Sequence, residues 1–141
     1  MITTFDFGTP AYDESIRLRD AILRKPLGLI FYAEDLAKEY NQVHFGYYEN
    51  AELIGCMVLQ NYGDNIAKMR QVAVAETHQK KGIGQKMVAY FEHYAKANHY
   101  KKIVLHARDV ACSFYEKLNY TKVGKQFLEV EIPHYKMEKV L

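Results

Sequence analysis

Six residues, Gln79-Lys80-Lys81-Gly82-Ile83-Gly84, could hold a phosphate group. They stand between a strand-like run, Arg70-Gln71-Val72-Ala73-Val74-Ala75, and a helical pattern with apolar residues at Ile83, Met87, Phe91, Tyr94 and Ala95. Each of the two glycines lowers helix propensity by roughly 1 kcal/mol relative to alanine, and no Ser, Thr, Asp or Asn directly precedes Gly82 to cap the free amides. A glycine-rich turn opening a helix presents unhindered N–H groups at the positive end of the helix dipole, and Lys80 and Lys81 add charge beside it. The missing cap is therefore expected to be a ligand's phosphate.

Spacing narrows the choice of ligand. The P-loop pattern GxxxxGK[ST] is absent, which argues against a nucleoside triphosphatase. The dinucleotide fingerprint GxGxxG fails twice: Met87 occupies the third glycine position, and Glu76 to Gly82 intervene where a dinucleotide fold turns tightly out of its strand. The loop does match Gln/Arg-x-x-Gly-x-Gly/Ala, the pyrophosphate loop of the GNAT acyl-CoA N-acyltransferases. Downstream, Ala111-Cys112-Ser113-Phe114-Tyr115-Glu116-Lys117-Leu118-Asn119-Tyr120 resembles that family's A-x-x-F-Y-x-K-L-G-[FY] helix. Near the two ends, Leu23-Arg24-Lys25-Pro26-Leu27-Gly28-Leu29 and Glu129-Val130-Glu131-Ile132-Pro133-His134-Tyr135-Lys136-Met137 are similar to segments of its small ElaA-like branch. Asn119 replaces the usual glycine and can hold the left-handed conformation that follows a helix. Arg108 stands where many relatives have an amide that contacts the cofactor.

The resemblance implies that acetyl-CoA enters between two splayed neighbours, the strands ending at Ala75 and Ala107. Backbone groups of Val72, Ala73 and Val74 would pair with the pantetheine arm like an added strand, and an N–H there would polarise the thioester carbonyl. One such preorganised donor contributes roughly 3 kcal/mol in a transition state. Gln79, Lys80, Lys81, Gly82, Ile83, Gly84 and Gln85 would hold the pyrophosphate, and Arg108 and Tyr115 would also touch the cofactor. Tyr115 would protonate the departing thiolate, since a phenol of pKa ~10 can supply a thiolate of pKa ~8.5 when held against the sulfur.

The acceptor would be a small-molecule or peptide amine that attacks directly, because no activated Cys or Ser is apparent. Deprotonating an ammonium of pKa ~10.4 at pH 7 costs about 4.6 kcal/mol, so a base or a shaped pocket is needed. His134 is the first choice of base, weighed against a structural bond at the Ile-Pro-His turn; His44, His106, Glu34 and Glu129 follow. His44 and His106 lie on strands, where a satisfied sheet histidine is the plainer reading. No metal site is expected. A non-catalytic acyl-CoA-binding or sensing module is the alternative, and a dinucleotide-dependent oxidoreductase ranks below it.

The remaining chain must position these groups. Its 141 residues, 49% hydrophobic and 13% aromatic, suit a single domain over 1–141. Nineteen basic residues scattered among 17 acidic ones suggest neither a nucleic-acid surface nor a nucleic-acid partner. There is no signal-like start and no apolar run approaching ~18 residues, so no membrane partner is expected. Cys56 and Cys112 read as packing residues of a reduced, cytoplasmic protein. A strand over 2–7, a helix from Pro10 stopped at Lys25-Pro26, and a helix over 33–40 with Glu34, Asp35, Lys38 and Glu39 facing water come first. Strands over 43–48, 53–59 and 66–75 follow, then the helix from Ile83, a strand over 102–107, a helix over 110–118, and two strands around a break at Ile132-Pro133. The pattern predicts an α+β, three-layer GNAT fold: a mixed, mostly antiparallel sheet with a splayed central parallel pair, flanked by about four helices. The aromatic C-terminal strands could pair with a second copy, giving a homodimer.

Overall fold

Strands form where β-branched and aromatic residues alternate between turns, and the computed structural model, which describes Met1–Leu141, assembles seven of them into one sheet. In chain order the elements are β1 (Ile2–Phe5), α1 (Pro10–Arg19), α2 (Ala33–Ala37), β2 (Val43–Glu49), β3 (Glu52–Asn61), β4 (Ile66–Val74), α3 (Ile83–Ala97), β5 (Lys102–Arg108), α4 (Cys112–Lys117), β6 (Thr121–Glu129) and β7 (Ile132–Val140). The spatial order is β1-β2-β3-β4-β5-β7-β6, and only β4 and β5 run parallel. The expected mixed sheet with a central parallel pair is what the chain builds.

Strand alternation gives the sheet two apolar faces. On one, Phe45, Met57, Leu59 and Met69 pack with Met87, Val88, Phe91 and Ala95 of α3 in the main core. The Phe45 ring meets Phe91 at 5.7 Å and Tyr94 edge-on at 5.0 Å. On the other face His44 meets Tyr12 of α1 edge-on at 5.1 Å, and Cys56 lies beneath Ser15.

Helix α1 begins with Pro10 after Thr9, whose hydroxyl caps the Tyr12 amide at 3.3 Å. Its α-helical part ends at Arg19, earlier than the predicted stop at Lys25-Pro26. A π turn over Asp20–Arg24 follows, then a 3-10 turn over Lys25–Leu27 that closes at Gly28, φ 69°. Pro26 has no amide to continue the helical ladder, and the wider turn before it re-aims Leu23 and Arg24.

Two other expectations fail. Glu39 does not face water: it is 2% exposed beneath Arg19, whereas Glu34, Asp35 and Lys38 are exposed. The final break is not at Ile132-Pro133 but at Val130 and Glu131, whose φ of 47° and 62° make a tight hairpin turn, with Pro133 inside β7 opposite Leu128.

The feature that shapes the site is where β4 leaves β5. Their pairing runs from Ile66↔Lys102 to Met69↔Leu105 and stops. Beyond it β4 stays with β3 as far as Val74↔Gly55, and β5 stays with β7 as far as Arg108↔His134. At the parting, Gln71 has φ 54° and a bulge places Gln71 and Val72 opposite Met57 alone. A bulge bends its strand and increases local twist, which is the physical reason that β4 swings off its neighbour.

Candidate active site

The parted strands enclose a cleft of about 370 Å³. Its walls come from Leu23–Leu29 after α1, from Lys68–Val72 on β4, from Leu105–Arg108 on β5, from Tyr115 of α4 and from the β6–β7 hairpin. The segments Leu23–Leu29 and Glu129–His134, near opposite ends of the sequence, thus face one another across a single space.

At the outer end of the wedge, α3 starts as the sequence predicts. Gly82 occupies the cap position at φ 78° with no side-chain cap, and the amides from Lys80 to Gln85 find no acceptor within the protein. A Cβ on Gly84 would come within 3.3 Å of the Phe114 ring, so the loop and the start of α4 approach closely because that residue is glycine. Lys80, Lys81 and Gln85 are exposed beside the free amides. The Gln79 side chain donates to the Val74 carbonyl at 2.9 Å, tying the loop back onto β4. These amides, the helix dipole and the two lysines concentrate positive potential at one point.

Tyr115 is 8% exposed, and no side-chain hydrogen bond engages its hydroxyl. Burial pushes its phenol up to about 12. Its helix ends as the motif requires: Asn119 takes φ 73°, and the Tyr120 amide returns to the Tyr115 carbonyl at 3.0 Å.

Across the cleft the Glu129 carboxylate stands between two histidines. One oxygen is 2.9 Å from His106 Nδ1 and the other 3.5 Å from His134 Nε2. His134 Nδ1 donates to the Ile132 carbonyl at 2.7 Å, the structural bond anticipated at this turn. His134 Nδ1 is thus engaged, and its Nε2 pairs with Glu129 only when the ring is protonated, while His106 keeps Nε2 unengaged, with its Nδ1–H directed at a carboxylate.

His44 and Glu34 are not brought here. His44 is buried under α1, where Nε2–H donates to the Glu39 carbonyl at 3.0 Å and burial lowers its proton affinity. Cys56 is a packing residue, its thiol pushed up to about 12 by burial, and burial also raises that of Cys112.

This arrangement of loop, wedge and helix has counterparts. The family model described as "Acetyltransferase (GNAT) family" matches residues 10–120, from the start of α1 through the end of the Phe-Tyr helix. The chain belongs to this GNAT acetyltransferase family. A curated relative, streptothricin acetyltransferase A of Bacillus subtilis, is 27% identical over 124 residues, covering 83% of this chain and 68% of that protein. The chain spans about half the length of two other curated relatives that it matches. Among solved structures, Escherichia coli ElaA superposes with a TM-score of 0.81 at 18% identity over 99% of both chains. An aminoglycoside 6'-N-acetyltransferase in complex with coenzyme A gives 0.82 at 20% identity, over 99% of this chain and 96% of that one. No helix of this GNAT chain is long and apolar enough to cross a membrane.

Sequence reasoning missed Arg24 and Lys68, which also line the cleft. A signal was available for Lys68. It and Arg70 alternate with buried Ala67 and Met69 in a strand next to the parallel pairing, where both faces are covered and a charge needs a reason.

Proposed function

We propose that residues 1–141 act as one domain that transfers acetyl from acetyl-CoA to a primary amine by direct attack. The observation that carries this is a continuous path: the uncapped Gly82 turn leads along the open edge of β4, at Val74, Ala73 and Val72, to the cleft beneath Tyr115. An extended pantetheine arm would follow that edge, with the pyrophosphate on the amides of residues 80–85 and Arg108 beside the arm.

The amine lone pair attacks the thioester carbon, and a β4 amide near Val72 takes the negative charge on oxygen. The C–S bond then breaks. Tyr115, whose phenol lies above a thiol of pKa ~8.5, serves first as a hydrogen-bond donor to the departing sulfur; complete proton transfer from a phenol near 12 is uphill by about 5 kcal/mol until the enclosed thiolate is itself desolvated. The ammonium proton passes to His106 Nε2, with Glu129 orienting that ring and His134, when protonated, holding Glu129 from the other side. Two unpaired, buried cysteines suit a reducing cytoplasm. The outer edge of β6 is free for a second copy, which sedimentation would detect.

The first experiment is thermal shift with acetyl-CoA, CoA and NADH, followed by a screen of amines for thiol release. A ligand at ~100 times its Kd adds about 2.7 kcal/mol. Stabilisation by acetyl-CoA and CoA but not NADH is expected, and NADH alone would overturn the assignment. Tyr115→Phe should slow turnover about 100-fold while leaving the acetyl-CoA shift intact. Binding with no turnover on any amine would favour an acyl-CoA sensor.

A further inference from the structure

The charged side chains lining the cleft are unbalanced. Arg24, Lys68, Arg70 and Arg108 face it, and Glu129 is the single carboxylate among the lining residues. Arg70 is already engaged, with Glu39 at 3.3 Å and with Gln42. The other three are not: neither Arg24, Lys68 nor Arg108 makes an ion pair or donates a side-chain hydrogen bond to a protein acceptor. The Nε atoms of Arg24 and Arg108 are buried without a partner. Arg24 is held in place by the Phe31 ring, 4.6 Å from its guanidinium carbon.

Burial lowers the proton affinity of Arg24 and of Lys68; the Arg19 charge pushes Arg24 further the same way, and the Arg70 charge pushes both. Glu39 and then Asp35 near Arg24, and Glu129 near Lys68, pull in the opposite direction. Partly buried cations packed against a like charge are unfavourable unless an anion completes them. The phosphates of CoA are not that anion in the reading above, since no residue from 79 to 85 lines the cleft. An acceptor carrying several ammonium groups would meet the same cations and be repelled.

We propose that the acceptor is an amine that also carries a carboxylate or phosphate, held by Arg24 with Lys68, while its ammonium end lies against Glu129. This rests on the reading of the cleft as the acceptor site. Charge-assisted hydrogen bonds of this kind are worth roughly 10- to 100-fold in affinity.

The test uses amines matched by a two-carbon spacer between the amine and the second group, namely β-alanine, O-phosphoethanolamine, ethanolamine and ethylenediamine, with kanamycin as a polycation. Binding to the CoA-saturated protein is read by calorimetry, and transfer by thiol release from acetyl-CoA. β-Alanine or O-phosphoethanolamine should bind at least about tenfold more tightly than ethanolamine, and ethylenediamine and kanamycin least. The better of the two anions identifies the group. Arg24→Gln and Lys68→Gln should each abolish the preference without moving the KM for acetyl-CoA, and Arg24→Lys should retain part of it. Equal use of all amines, or a preference for the cations, overturns the anion site and leaves the acetyltransferase standing. Arg24-dependent binding of the anionic amines with no thiol release overturns the transferase reading and leaves the anion site standing.

Discussion

Arg19 ends α1, Arg24 ends the π turn that follows, and both guanidinium groups lie over the Phe31 ring, at 5.1 and 4.6 Å. Their surroundings differ completely. Arg19 is 1% exposed and donates twice to Glu39, at 2.8 and 2.7 Å, and once to Gln71 at 3.3 Å. Glu39 also accepts from Tyr12 at 2.8 Å and from Arg70, so every charge in that set is answered from within. Arg24 has no such partner and opens on the cleft. The same side chain on the same helical run therefore serves two ends. One fixes α1 and the turn after α2, Lys38–Asn41, against the bulged strand, and the other stands ready for something the protein does not itself contain.

The closed set should break hardest. Glu39→Ala leaves Arg19 buried without its counter-charge, and a loss of about 3–5 kcal/mol in urea unfolding is expected. A loss below about 1 kcal/mol would show that water reaches Arg19 and that the set is not closed.

Next in size is Glu129→Gln in the open set. Turnover should fall about 100-fold through loss of the orienting charge on His106, with unfolding midpoints unchanged. A stability loss without a rate effect would move Glu129 to the structural side of the comparison.

Acid should act on the closed set first. Burial alone would raise the Glu39 carboxyl, but the hydrogen bonds and charge of Arg19, with Tyr12 and Arg70, more than offset it and hold the group below its ordinary value. A depressed carboxylate contributes stability that is present above the ordinary value of 4.5 and disappears as pH falls through the lower folded value. His44, depressed from 6.5 chiefly by burial, works in the same direction: its contribution is complete above 6.5 and declines below. Urea midpoints should fall in two stages, below about 6.5 and below about 4.5, and Glu39→Gln should remove the second.

Smallest of all is the stability effect of Arg24→Gln, expected within about 1 kcal/mol because no ion pair or hydrogen bond is lost, only the contact with the Phe31 ring. A large destabilisation there would erase the distinction between the two arginines.

What the sequence made legible was local. The two glycines and the uncapped helix start lie within a few residues, and helix and strand periods mark the sheet and α3. Asn119 reads as a left-handed stop directly after its helix. What it hid was assembled from afar: Glu39 reads as one more charge on a wet helix until Arg19 and Arg70, 20 and 31 positions away, are brought over it. Glu129 and His106, 23 positions apart, meet only because β5 and the β6–β7 hairpin lie side by side. Nothing in the pattern around residue 71 announces a bulge at a non-glycine residue with φ 54°.

That bulge also bears on how the protein avoids aggregation. Unpaired strand edges ordinarily lie at the rim of a sheet, where a foreign strand can add and seed larger assemblies. Here one rim, β1, is only four residues long, the other, β6, spans nine, and a further stretch of open ladder lies in mid-sheet between two strands still held to their outer neighbours. That inner edge borders the cleft rather than the rim of the sheet. The fold can leave main-chain groups unanswered for a ligand without offering them to a neighbouring molecule.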